Sequence, residues 1–90
     1  MSKYAWIIDK DHLDAPEDSS VGICGPRGAK QILLDMLEDG KGEQFELFDD
    51  DDILYYTGRI IGIYDGFEPL DDFGMPNAGC TAIKLNGAFV

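Results

Sequence analysis

Basic residues are scarce in this chain. Seven Lys and Arg stand against eighteen Asp and Glu, giving a net charge of −11. The shortage argues against nucleic acid or an anionic membrane as a direct ligand, because both are held through Lys and Arg. Cysteine is nearly absent. Cys24 and Cys80 are the only two, they lie far apart, and no C-x-x-C spacing occurs. That pattern predicts reduced thiols in the cytoplasm rather than a disulfide frame or a zinc site. No apolar run approaches the roughly 20 residues of a membrane span. The opening MSKYAWII lacks the apolar core of an export signal, and no internal repeat is visible.

The rest of the composition is that of a folded protein. Ninety residues, 44% hydrophobic and 11% aromatic, predict one domain over 1–90 with a modest core. Such a chain is too apolar for the disordered class. Tyr4, Trp6 and Ile8 alternate with Ala5, Ile7 and Asp9, which predicts a first strand over 4–9. Residues 14–27 carry Pro, Gly, Ser and acids and read as a loop, with a short apolar plug at 21–24. Ala29, Ile32, Leu33, Met36 and Leu37 recur at three and four residues and predict a helix over 26–39. Pro26 suits its first position and Gly40 its left-handed end. The helix charges oppose the macrodipole, with Arg27 and Lys30 at the start and Glu38 and Asp39 at the finish.

Two strands follow, over 43–48 and 53–64. Phe45 and Leu47 share one face of the first, Gln44 and Glu46 the other. Gly58 and Gly62 in the second predict a bulge or the close approach of another backbone. Residues 65–80 have neither a helical nor a strand period, yet they include Phe67, Leu70, Phe73 and Met75. They are expected to fold back over the core as a loop. A short strand over 81–85 and an Asn86-Gly87 turn close the chain. The order β-α-β-β-β predicts an α+β fold, one helix packed on a mainly antiparallel sheet of about four strands.

The connection between the paired strands is Asp49, Asp50, Asp51 and Asp52. A run of aspartates suits a solvated turn, a cation site, or a surface for a basic partner. Calcium would need D-x-D-x-D-G spacing and a following Glu, and both are missing. Acids recur elsewhere: Asp9, Asp11, Asp14, Glu17 and Asp18 early; Asp35, Glu38 and Asp39 on the helix; Glu43 and Glu46 on a strand; Asp65, Glu68, Asp71 and Asp72 late. Same-face strand positions lie about 6.6 Å apart and helical turns about 5.4 Å apart. Carboxylates at such intervals imitate a phosphate backbone to a groove lined with Lys and Arg. The candidate partner-binding residues are therefore Asp49, Asp50, Asp51 and Asp52, extended by Glu43, Glu46, Asp71 and Asp72.

Other features point less far. His12, the only histidine, has acids nearby but no identifiable Ser or Cys nucleophile, so no enzyme is expected. GICGPRGAK places glycines, Arg27 and Lys30 before a helix, as an anion loop does. It lacks the P-loop pattern and reads as the shape of the helix entry. Trp6, Tyr55, Tyr56 and Tyr64 could stack on bases, but acidic surroundings favour core packing. No metal or other cofactor is expected.

Three stretches together, YAWIIDKDHLD, GPRGA and EPLDDFGMPNAGCTAIK, resemble a family of short uncharacterised proteins carried by phages, prophages and other mobile elements. The likeness spans most of the chain, and the family supplies no catalytic residues. Small acidic phage proteins include anti-CRISPR inhibitors, several of them mimics of duplex DNA, and this chain is similar to those in size and charge. The resemblance implies a non-catalytic inhibitor in the host cytoplasm. Its partner would be a basic nucleic-acid-binding protein or complex, such as a CRISPR effector. The alternative is a binding or structural module with no defence role, recognising its partner through residues 67–76.

Overall fold

The computed structural model describes residues 3–12 and 21–90. Asp14, Glu17 and Asp18 lie outside them. Among the described residues six strands form one antiparallel sheet: β1 (Tyr4–Asp11), β2 (Cys24–Gly25), β3 (Glu43–Phe48), β4 (Leu54–Gly62), β5 (Ala82–Leu85) and β6 (Ala88–Phe89), in the spatial order β2-β1-β4-β3-β5-β6. One helix, α1 (Gln31–Glu38), precedes β3. A π-helical turn at Leu70–Gly74 runs into α2 (Met75–Ala78) before β5.

The α+β class and the antiparallel sheet agree with the sequence, while the strand count does not. The two additional strands are the edges. Cys24, the last residue of the apolar plug, and Gly25 pair with Ile7 and Trp6 as β2, and the residues after the Asn86-Gly87 turn pair with Lys84 and Leu85 as β6. Two residues are too few to show a period. β1 runs on to Asp11 past an irregularity between Ile8 and Lys10. Gly58 behaves as its place in a strand implied: a Cβ there would overlap the Ile7 carbonyl and the Phe45 ring.

Register sorts the side chains onto two faces. Trp6 pairs with Ile60, Ile8 and Phe45 with Gly58, and Leu47 with Tyr56 and Ile83. These residues form one buried cluster, closed above by Leu70, Phe73 and Cys80 from the segment 65–80. Phe73 is the centre of that lid. Its ring lies 5.0 Å from Tyr56 and 5.5 Å from Trp6, tilted against both. The expectation that 65–80 folds back over the core holds, but much of the segment is helical. Its buried residues Leu70, Phe73 and Gly74 sit on a turn widened by π geometry, which an α-helical template misses.

The opposite face carries α1 over β1 and β4. Leu37 and Ala5 are fully buried on that side. The helix is shorter than its apolar stripe suggested. Gly28 has φ +85° and Lys30 is extended at ψ 135°, so helical geometry starts only at Gln31. Pro26 follows a cis peptide and opens a turn closed by the Ala29 N–H on its carbonyl, 3.0 Å. At the other end Gly40 takes φ +89°. The Lys41 N–H reaches the Met36 carbonyl and the Gly40 N–H reaches that of Leu37, the paired bonds of a Schellman stop.

Arg59 of β4 answers the macrodipole mismatch. Its guanidinium grips Asp9 with both oxygens, at 2.7 and 2.8 Å, and donates to the carbonyls of Leu37 (2.6 Å) and Lys41 (3.1 Å). A cation from the sheet thus sits at the negative end of a helix that has no basic residue in its last turn.

Candidate functional site: the acidic lid face

The lid is built by its own acids. Glu68 reaches back to accept the N–H groups of Asp65 and Gly66, both at 2.7 Å. The two bonds fix the turn out of β4, just ahead of the helical turn that Glu68 itself begins. Asp72 then pins the segment to β1, accepting the Tyr4 hydroxyl at 2.7 Å and the Trp6 indole N–H at 3.1 Å through one oxygen. Glu43, opposite Ile60 in β3, accepts Asn86 Nδ2 at 3.1 Å and also bonds Tyr64. Glu43, Glu68, Asp71 and Asp72 therefore gather around two tyrosines. Burial and the bond to Glu43 push Tyr64 up to about 12. Burial and the bond to Asp72 push Tyr4 upward as well, with Glu68 and Asp71 adding repulsion against a phenolate.

The four consecutive aspartates close the β3–β4 hairpin. Asp49 Oδ1 accepts the N–H groups of Asp51 and Ile53, both at 2.9 Å. Those bonds, Ile53 first, hold its carboxyl below the usual range. Asp52 takes φ +61°, a conformation Asp tolerates better than most residues. Asp50, Asp51 and Asp52 are exposed. The Asp49 carboxylate also bonds Tyr55, raising that phenol. Cys80 at the far end of the lid is pushed up to about 11 by burial, with a contribution from Asp49.

The eight acids singled out by sequence thus fall into three places. Glu43, Asp71 and Asp72 come together at one end of the lid. Asp49, Asp50, Asp51 and Asp52 sit at the other end, beyond Leu54. Six residues of β4, about 20 Å, separate the two ends. Glu46 joins neither, because it pairs with Thr57 and Lys84 on the α1 side of the sheet. Three of the eight have structural duties: Asp49 shapes the turn, Asp72 pins the lid, and Glu43 ties β3 to the β5–β6 turn.

Sequence reasoning left Asp65, Glu68, Tyr4 and Tyr64 out of the candidate partner-binding set, although they organise the cluster. Glu68 bonds N–H groups only two and three residues before it, so that part of the cluster is local. Nothing local announces that Tyr4 and Asp72, 68 positions apart, will meet.

The α1 side carries both signs, with Asp9 and Glu46 facing it and Asp35, Glu38 and Asp39 on or at the end of α1. Arg59, Lys10 and Lys84 lie on the α1 side of the sheet by register. Arg27, Lys30 and Lys41 flank α1. Lys84 Nζ rests over the rings of Phe89 (4.8 Å) and Phe48 (5.2 Å). Residues 43–80 contain ten acids and one base, Arg59. Since Arg59 and Glu46 both face the other way, the lid, the strand positions beneath it and the hairpin tip display nine of those carboxylates without a Lys or Arg.

His12 lies on the α1 side, its Nε2 2.9 Å from Thr57 Oγ1. Among the described residues no three of His, Cys, Asp and Glu converge to hold a metal ion, and no helix is long and apolar enough to cross a membrane. No protein-family model matches the chain, and neither a curated protein nor a solved structure matches it.

Proposed function

We propose that this chain is a non-catalytic inhibitor of the kind mobile elements carry against host defence. Its acidic lid face would enter the nucleic-acid groove of a basic host protein or complex, such as a CRISPR effector, and compete with DNA or RNA there. The observation that supports this reading is the distribution of charge: five carboxylates on the lid side of the sheet and four more at the hairpin tip, while Arg59, Lys10 and Lys84 face the other side. About 20 Å of B-DNA carries roughly 12 phosphates. Nine carboxylates in two groups at either end of a comparable length come within a factor of two of that number. Binding of this kind steers encounter and weakens steeply with salt.

The test uses acids that have no structural duty. Asp50→Asn, Asp51→Asn, Asp52→Asn and Asp71→Asn combined remove four charges and leave the Asp49 and Asp72 bonds in place. The variant should melt as the parent does, and should lose a basic nucleic-acid-binding partner that the parent captures from host lysate at low salt. Undiminished capture by a folded variant refutes the proposal.

A second reading has its own support. Phe67 is 45% and Met75 51% exposed on the lid, whereas Leu70 and Phe73 are 5% exposed. Two uncovered apolar side chains on a recognition segment suit a protein-binding module with no defence role.

A further inference from the structure

The outer face of the lid has a spacing of its own. The Asp71 N–H donates to the Phe67 carbonyl (2.9 Å), the Met75 N–H to that of Leu70, and the Gly79 N–H to that of Met75. The segment therefore runs as one helical unit from an α-type turn through the π turn into α2. Four residues of α-helix overshoot a full rotation by about 40°, and the wider π turn that follows undershoots one. Phe67, Asp71 and Met75 consequently come into line on the side away from the core, while Pro69, Leu70, Phe73 and Gly74 face it. Eight residues at about 1.5 Å each place Phe67 and Met75 about 12 Å apart with a carboxylate between them.

That is the repeat of an amphipathic helix. Apolar side chains at i and i+7 or i+8 stand about 10–12 Å apart along its axis, and residues i+3 and i+4 fall between them. We infer that the outer face of the lid docks a basic amphipathic helix of a partner. Two apolar side chains of that helix would meet Phe67 and Met75, and a Lys or Arg between them would meet Asp71, with Glu68 and Asp72 alongside. Charge complementarity fixes the occupant's sign, since the lid has four carboxylates and no base. The inference rests on the reading of this face as a protein-binding surface. It goes further by naming the element bound and by making part of the contact apolar, and so resistant to salt.

The probe is a fluorescein-labelled Leu/Lys peptide of about 18 residues, long enough for five helical turns, with leucines at i and i+7. Its control is the same composition scrambled to destroy the apolar stripe. Anisotropy titrations against the full chain should give the amphipathic peptide at least a tenfold preference, persisting when salt is raised. Phe67→Ser with Met75→Ser, both at exposed positions, should erase that preference while leaving the binding of the scrambled peptide unchanged. Asp71→Asn should weaken both peptides. Equal affinity for the two peptides, a preference that survives the double variant, or no binding of either overturns the inference. Strong, salt-sensitive and equal binding would do so while leaving the acidic face intact as a binding surface.

Discussion

Removing the Arg59 side chain tests the join between α1 and the sheet. Arg59→Ala abolishes a two-pronged ion pair with Asp9 and two bonds to carbonyls at the end of α1. It also leaves the Asp9 carboxylate facing the negative pole of a helix with no compensating cation. Hydrogen bonds to charged groups contribute about 1.5–3 kcal/mol each. These four act as a unit and do not add, and the side chains of Arg59 and Asp9 are 22% and 31% exposed, so solvent screens the pair. A net loss of about 3 kcal/mol is the working figure. In a domain of this size each kcal/mol moves Tm by roughly 4–8 °C, so the melt should fall by about 12–24 °C with the protein still folded at room temperature. Arg59→Lys should recover less than half, because one ammonium cannot span a carboxylate and two carbonyls. Hydrogen exchange should localise the damage: α1 amides lose protection while β3 and β4 keep theirs. A melt within about 2 °C of the parent, or protection lost evenly across the sheet, refutes the clamp.

Two further outcomes follow from burial. Tyr64, pushed up to about 12, and Tyr4, raised by burial and Asp72, both have folded values above the unfolded value near 10. Their contribution is therefore complete below pH 10 and drains away as pH climbs toward 12. Tyrosinate absorbance from these two should rise together with loss of the circular dichroism signal. Ionisation of all four tyrosines near pH 10 with the fold intact contradicts this. Of the two free cysteines, exposed Cys24 should react with a thiol reagent in the native protein, and Cys80, buried and pushed up to about 11, only on unfolding. Equal rates would show that the lid does not seal the core.

What the sequence made legible were features whose cause is local. Alternation in EQFELF gave β3 its length and its two faces. Gly40 marked the helix stop because only a residue at ease with positive φ closes that turn well. Gly58 and Gly62 signalled crowding before any neighbour was known. The helix start misled, because Pro26 suits the first turn of a helix and also suits the turn it occupies. The lid's helicity stayed hidden behind its π turn. The acidic site was half legible. Strand alternation already put Glu46 on the face opposite Phe45, so its separation from Glu43 was there to be read. Asp72 meeting Tyr4, and Arg59 meeting Asp9, arise from long-range pairing that no local pattern encodes. The charge distribution depends on the same pairing, since it exists only once register assigns each residue a side.

The outermost strands, β2 and β6, are two residues long. A long bare margin is an open template on which another chain can extend a ladder and start an aggregate. Among the described residues the outermost strands are this short on both flanks, and every copy carries eleven surplus negative charges to repel the next. Short margins and a shared sign of charge both work against end-to-end growth into fibres.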